Sequence, residues 1–482
     1  MAASDYEATI GLEVHAELLT KTKLFCPCPT TFGAEPNTQT CPVCIGMPGV
    51  LPVLNKRAFE LTLKTALALN CEIPDEVNFD RKNYNYPDLP KNYQISQNHL
   101  NIGAKGHLDL LVNGEKKRVG IWNVHLEEDA GKNIHGEGRD AAYSFVDLNR
   151  TGTPLMEIVS APDLHSPDEV EAYCKTLRNL LLYLQVCDCK MQEGRLRFEP
   201  GISVRRKGAK ELGKRVEIKN LGSITAAIRA VEYEIERQIA VLEEGGTVPQ
   251  ETRLWDADRN RSERMREKES SHDYRYFPEP DLVWYRVDEE WKGRIREEIP
   301  ELPTAKRVRF MEEMGLSDYD AGVLADEKAL ADYFEECLTH HNQPKAVANW
   351  LINDVLRAVK EQGISIADYP VRAETLADLV KIVDSGKLSV AQGREVLAEV
   401  AATGKSPDAI IREKGLEQVS DEGALEAAIE KVIAANPQAA ADFKAGRKQA
   451  MGFLIGQIMR ETKGKANAKV VGPMLTKRLA QG

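Results

Sequence analysis

Thr9-Ile10-Gly11-Leu12-Glu13-Val14-His15-Ala16-Glu17-Leu18 alternates without a break: Ile10, Leu12, Val14, Ala16 and Leu18 fall on one side, Glu13, His15 and Glu17 on the other. Residues i and i+2 of an extended chain point the same way, so this is a strand with one apolar and one polar face. Working outward, short runs punctuated by Gly, Pro, Asn and Asp recur at 107–112, 118–126, 142–146, 154–160, 196–204 and 215–218. Helical spacing replaces alternation in Lys56–Leu69, in Asp168–Leu184 after Ser166-Pro167, and in Ser223–Glu244. From about Arg294 the strand signals stop. Helices bounded by Pro or Gly follow at Thr304–Met314, Glu327–His340, Lys345–Gln362 and Ala373–Ser385, and again from Pro407. The expected class is α+β, with a large β-rich domain over 1–293, an all-α domain over 294–405 and a small all-α tail over 406–482.

Of 482 residues, 42% are hydrophobic and 29% charged, and the formal net charge is −11. Taken whole, this is not a basic nucleic-acid binder. The average hides an asymmetry: residues 443–482 hold nine Lys and Arg against the single acid Glu461, a net of +8, which leaves −19 for the rest. Lys448, Lys463 and Lys465 belong to that basic end, which is either a solvated face or a contact for phosphates. No apolar run approaches the roughly 18 residues of a membrane helix, and Met1–Glu13 lacks a signal pattern, so a cytoplasmic protein without membrane contact is expected. There is no G-x-x-x-x-G-K-[ST], G-x-G-x-x-G or G-x-S-x-G, and no repeat of 20–50 residues.

Three segments place carboxylates on strands. Glu13 and His15 form an E-x-H pair on one face, able to bind a divalent ion or pass a proton, or simply to face solvent. Val119–Lys132 reads as a strand ending in Glu127-Glu128-Asp129, whose mutual repulsion a hard cation such as Mg²⁺ would relieve. In Pro154-Leu155-Met156-Glu157-Ile158-Val159, Glu157 shares its face with Leu155 and Val159; a carboxylate there is costly unless paired or metal-bound. Acids on strands with a histidine and no P-loop fit metal-assisted phosphoryl transfer. The preceding loop, Asp147-Leu148-Asn149-Arg150-Thr151-Gly152-Thr153, offers an arginine for phosphate oxygens.

Cys26 and Cys28, then Cys41 and Cys44, give C-x-C, twelve residues, and C-x₂-C. That spacing suits a closed, structural Cys₄ zinc, although the first pair is tighter than usual. Cys71, Cys174 and Cys337 read as core fillers, Cys187 and Cys189 as exposed thiols. Two aromatic and polar stretches, Phe79–Gln97 and Ser270–Asp281, are neither helix nor strand by period. They either pack the domain or serve a base or a polar passage.

Several of these segments together resemble a known family. Ile10–His15, Phe79–Gln97, Glu127–Lys132, Asp147–Val159, Lys219-Asn220-Leu221 and Asp273–Asp281 look like the B subunits of the tRNA-dependent Asp/Glu amidotransferases, essentially end to end. The resemblance implies a cradle-shaped catalytic domain, a helical domain and a tail similar to YqeY proteins that touches tRNA. It implies a reaction in which ATP and Mg²⁺ phosphorylate the side-chain carboxylate of Glu-tRNA(Gln) or Asp-tRNA(Asn). Ammonia from a glutaminase A subunit then displaces phosphate. Glu13, His15, Glu127, Glu128 and Glu157 become the expected Mg²⁺ and phosphoryl-transfer residues, and Asn149 and Arg150 the expected substrate contacts. Lys448, Lys463 and Lys465 become tRNA contacts.

Where many relatives read R-x-D-x-N-x-S, this chain has Arg197-Phe198-Glu199-Pro200-Gly201-Ile202-Ser203. No amidase signature is visible, so the resemblance implies a heterotrimer with an A subunit and a small C subunit. The competing reading is a non-catalytic tRNA-binding scaffold.

Overall fold

The computed structural model describes residues 5–136, 142–267, 274–416, 422–444, 448–462, 466 and 468–481. They fall into two compact units, 1–305 and 306–482.

The first unit is built on an eight-stranded sheet. Its strands, in chain order, are β1 (Tyr6–Glu17), β2 (Gly103–Val112), β3 (Glu115–Glu128), β4 (Pro154–Ser160), β5 (Leu196–Arg206), β6 (Val216–Lys219), β7 (Glu251–Asp256) and β8 (Arg261–Glu267). They lie side by side in the order β8-β7-β6-β5-β1-β4-β3-β2. Every pairing is antiparallel except β6 with β7. The alternation of β1 does what it promised: Ile10, Leu12, Val14 and Ala16 are buried in one apolar cluster with three helices. These are α1 (Lys56–Ala68), α2 (Pro167–Tyr183) and α3 (Ile224–Glu243). Ser166 and Ser223 cap α2 and α3, each hydroxyl accepting a backbone N–H of the first turn, at 3.3 and 3.0 Å.

The stretch 79–97, expected to be irregular, contains two short strands. Asp80–Asn83 lies between Tyr93–Ser96 and Phe277–Pro278. The prolines that argued against a strand are confined to the connecting turn, and pairing with a segment nearly 200 residues away leaves no local signature. The β7–β8 hairpin also lay outside the sequence reading.

The described residues of the second unit are helical, and the fold class is α+β. One apolar cluster runs from Phe310 to Ile411 and another joins Leu425, Ile429 and Val432 to Leu454, Ile458, Val471 and Leu475. The expected helix Lys345–Gln362 is interrupted by a π-helical segment, Leu351–Val355, between Pro344–Trp350 and Leu356–Gln362. Helices Asp318–Asp326 and Val390–Thr403 add to those expected. Among the described residues no helix is long and apolar enough to cross a membrane. Lys463 and Lys465 lie outside the described residues; Lys448 opens the helix Lys448–Glu461, its side chain likewise outside them.

Candidate active site and metal centre

The polar face of β1 is the starting point. Strand register sets His15 beside Arg197 on β5 and Glu157 on β4, and Glu157 in turn beside His125 on β3. Four strands thus carry one lateral row, Arg197–His15–Glu157–His125. Glu127, two residues beyond His125, turns the same way. Glu157 Oε2 lies 3.1 Å from His125 Nε2 and 3.5 Å from His15 Nε2. Glu127 lies 3.8 Å from His125 Nε2 and 4.0 Å from His15 Nε2, and accepts a hydrogen bond from Ser96 Oγ at 3.0 Å.

Burial penalises every charge in this row, and the opposite charges overcome it. His125 loses by desolvation but gains more from Glu157 and Glu127, which push it up to about 10. His15 is raised for the same reason, chiefly by Glu157. Glu157 is correspondingly held well below the usual carboxylate range by His125 and His15 against the cost of its burial. The carboxylates and imidazoles of the row thus favour each other's charged forms.

His15, Glu127 and Glu157 offer ligand atoms within 4.8 Å of one another, and His15 Nδ1 is buried with no hydrogen-bond partner among the described residues. Two carboxylates suit a hard divalent cation; an imidazole is a softer third ligand.

Glu13 joins a different group. It sits with Glu199 and Glu217, again within 4.8 Å, one alternation along β1 and so about 7 Å from His15. Two cations share this group. Arg215 lies 3.2 Å from Glu13, and Lys219 Nζ lies 2.7 Å from Glu199 and 3.1 Å from Glu217. The departure at Gly201 has a visible consequence: a β-carbon there would lie 2.7 Å from Arg215 Cδ, so the bare backbone leaves room for that side chain.

Glu128 is in neither group. Its carboxylate pairs with Lys91 Nζ and accepts Ile95 N–H at 3.0 Å, binding β3 to Tyr93–Ser96. Asn149 and Arg150 are likewise engaged within the chain. Asn149 Oδ1 accepts Gln39 N–H at 2.8 Å, while Arg150 donates to the carbonyls of Ala130 and Gly131 at 2.9 and 2.7 Å.

The four cysteines converge. Their sulfurs all lie within 4.8 Å of one another, and Cys41 and Cys44 are 4.0 Å apart. Tetrahedral zinc with Zn–S of about 2.3 Å separates its sulfurs by about 3.8 Å, so the set fits that ion. Hydrogen bonding from Cys26, then from the Cys41 backbone and with the help of the Lys23 ammonium, holds Cys44 well below the ordinary thiol range despite burial. Cys187 and Cys189 are buried, not exposed, closed in by the turn after α2; Cys71, Cys174 and Cys337 are buried as expected.

With this geometry in place, comparison with known proteins is direct. The GatB/GatE catalytic domain matches residues 8–293, and the GatB domain matches residues 332–479. The chain belongs to the GatB family. It is 52% identical over 478 residues to a protein of Carboxydothermus hydrogenoformans, covering 99% of each chain. It is 51% identical to one of Caldanaerobacter subterraneus subsp. tengcongensis, over 99% of this chain and all of the relative. It is also 51% identical to a protein of Moorella thermoacetica, over 98% of this chain and all of the relative. All three relatives are named as the B subunit of an aspartyl/glutamyl-tRNA(Asn/Gln) amidotransferase.

Sequence reading of this GatB chain missed several residues that the geometry brings to the row. His125 was detectable: His125 and Glu127 repeat on β3 the alternation of Glu13 and His15 on β1. Lys82 had no such signal. It reaches the site because Asp80–Asn83 crosses nearby; its ammonium stands 4.9 Å from the Tyr274 ring, and Glu127 and Glu157 raise its pKa against burial. The two aromatic stretches meet here. Tyr84 and Tyr274 contact edge to face at 6.0 Å, Asn83 Nδ2 donates to Arg275 O at 2.9 Å, and Arg81 clasps Glu279 at 2.7 and 2.8 Å. Residues 270–273 of the second stretch lie outside the described residues. Asp129 is held by Arg197 at 3.2 Å and Arg150 at 3.6 Å.

Proposed function

We propose that this chain is the subunit of a tRNA-dependent amidotransferase that activates and amidates the side-chain carboxylate of Glu-tRNA(Gln) or Asp-tRNA(Asn), using ATP and Mg²⁺. The observation that carries the reading is the buried row His15–Glu157–His125 with Glu127, on a chain about half identical to amidotransferase B subunits along its whole length. A carboxylate is a poor electrophile. Attack of its oxygen on the γ-phosphorus of ATP breaks the bond to ADP and makes an acyl phosphate. Ammonia from a glutaminase A subunit then forms the C–N bond, phosphate leaves, and the nitrogen gives up a proton.

His15, Glu127 and Glu157 would hold one Mg²⁺, and Glu13 lies on the same strand face to meet a second charge. When bound, the ion supplies electrostatic stabilisation of the phosphates. The chain's own contribution is to preposition carboxylates and imidazoles in a site of low dielectric, with Lys82 and Arg197 fixing the surrounding charge. Burial also keeps water from the mixed anhydride. The Cys26–Cys28–Cys41–Cys44 centre would hold structural zinc.

The same reading assigns the remaining parts. Asn149 and Arg150 shape the substrate loop, and Glu128 braces β3 against Tyr93–Ser96. The basic end around Lys448, Lys463 and Lys465 contacts tRNA. Residues 1–293, 294–405 and 406–482 act as catalytic, helical and tail domains of a cytoplasmic heterotrimer with A and C subunits.

Glu157→Gln in the reconstituted complex tests the proposal. It should abolish tRNA-dependent ATP hydrolysis while tRNA affinity stays within about twofold. Unchanged hydrolysis would overturn the kinase role and leave the scaffold reading.

A further inference from the structure

The cysteine centre and the loop carrying Asn149 and Arg150 are built as one piece. Asn37, in the twelve residues between the cysteine pairs, adopts a left-handed φ of 61°. Its backbone N donates to Asp147 Oδ1 at 3.1 Å and its Nδ2 to Val146 O at 3.0 Å, and its Oδ1 accepts Leu148 N–H at 2.8 Å. Next to it, Gln39 N donates to Asn149 Oδ1, and Asn149 Nδ2 donates back to Glu35 O at 2.7 Å.

A second set of contacts comes from before the first cysteine. Leu24 N donates to Gly152 O at 2.8 Å. Lys23 is fully buried, with Nζ 3.6 Å from Cys44 Sγ and 3.4 Å from Leu148 O. Gly152 has φ of 81°, and a β-carbon there would lie 3.6 Å from both Cys44 Cβ and Glu128 Oε2. Lys23, Cys44, Gly152, Lys91 and Glu128 line a common cavity of about 110 Å³.

The far side of the loop is tied to the candidate active site. Arg150 donates to Ala130 and Gly131, Gly152 N donates to Asp129 O at 2.9 Å, and the chain then runs straight into β4 with Glu157.

We propose that the metal-loaded cysteine centre is a positioning device for residues 147–153. Two short cysteine knuckles joined by twelve residues have little apolar core of their own, so ligation supplies the free energy that orders residues 35–44. Those residues hold one side of the loop. Four thiolates around Zn²⁺ carry a net charge of −2, and the Lys23 ammonium that faces them also bridges to the Leu148 carbonyl. Centre and loop are thereby coupled through one buried cation and five hydrogen bonds between 35–39 and 146–149. Lys23 and Asn37 are positioning residues. Only the effect on phosphoryl transfer rests on the proposed function; the coupling itself does not.

The test is amide hydrogen exchange on the full chain, comparing zinc-loaded protein, protein stripped with a chelator, and zinc-loaded Asn37→Gly. Glycine keeps the left-handed backbone at this exposed position and deletes two of the bridges. Stripping should raise exchange across 148–153 at least tenfold while α2 (167–183) stays protected. Asn37→Gly should keep one zinc per chain, raise exchange there several-fold, and lower kcat for tRNA-dependent ATP hydrolysis at an unchanged KM for ATP. Equal protection with and without zinc overturns the coupling, and so does a chain that neither contains nor takes up zinc. If stripping unfolds the whole unit, unchanged protection in Asn37→Gly overturns it instead. Should exchange behave as expected while wild-type complex hydrolyses no ATP with tRNA, the proposed function falls and the coupling stands.

Discussion

The pair Glu157 and His125 allows a quantitative check of the electrostatic account. An ordinary imidazole titrates near 6.5 and His125 near 10, so the folded row favours its protonated form by on the order of 4–5 kcal/mol over the unfolded chain. Glu157 is the largest favourable contributor and Glu127 supplies much of the rest, which puts the Glu157–His125 pair at roughly 2–3 kcal/mol. The sign follows from the direction of the shift. A histidine raised in the fold contributes its full stability below about 6.5, and loses it as pH rises through about 10. A double-mutant cycle of Glu157→Gln and His125→Gln, measured by urea unfolding with EDTA present, isolates the pair. Coupling of about 2–3 kcal/mol is expected at pH 7, falling below about 0.5 kcal/mol at pH 10.5. Equal coupling at both pH values would refute the charged-pair reasoning.

Glu17 tests a shift of the same sign with a different cause. Burial, then repulsion by Asp129, pushes its carboxyl up to about 7, so its contribution is present below about 4.5 and is lost as pH rises through 7. Glu17→Gln should leave stability unchanged near pH 4.5 and raise it by up to about 3 kcal/mol at pH 8; a pH-independent effect in urea unfolding would sink this account. Glu128→Gln strands the buried Lys91 ammonium and should cost about 3 kcal/mol in the same assay, and Lys91→Met added to it should recover much of that loss. For the basic end, truncation at Phe443 would split the cluster of Leu425, Ile429 and Val432 with Leu454 and Leu475. Removal of everything after Leu416 is the cleaner variant, and should weaken tRNA binding and flatten its salt dependence; an unchanged salt slope would count against tRNA contact.

What the sequence made legible was what local alternation and capping encode. β1, β4, α2 and α3 could be read nearly to their ends because an apolar face of period 2 or 3.6 and a serine cap are written within a dozen residues. Glu13 and His15 looked like one site for the same reason, since adjacency on a strand face is all that one segment can tell. Register across strands divides them, giving His15 to Glu157 and Glu13 to Glu199. Lys82, Arg197 and the short strand Asp80–Asn83 reach the site through pairings between distant segments, which leave no periodic trace. The π-helical segment at Leu351–Val355 was invisible because extra winding inside a continuous helix is marked by no Gly or Pro.

The central place of β1 also has a consequence for synthesis. Its two neighbours, β4 and β5, end at Ser160 and Arg206, so β1 is flanked in the sheet only by strands made much later. At about 5–20 residues per second, Ile10, Leu12 and Val14 wait roughly 10–40 s for the second flank to emerge from the ribosome. Pairing of β1 in this sheet therefore waits on late, long-range contacts, and until they form both of its edges lack the strands that flank them in the fold.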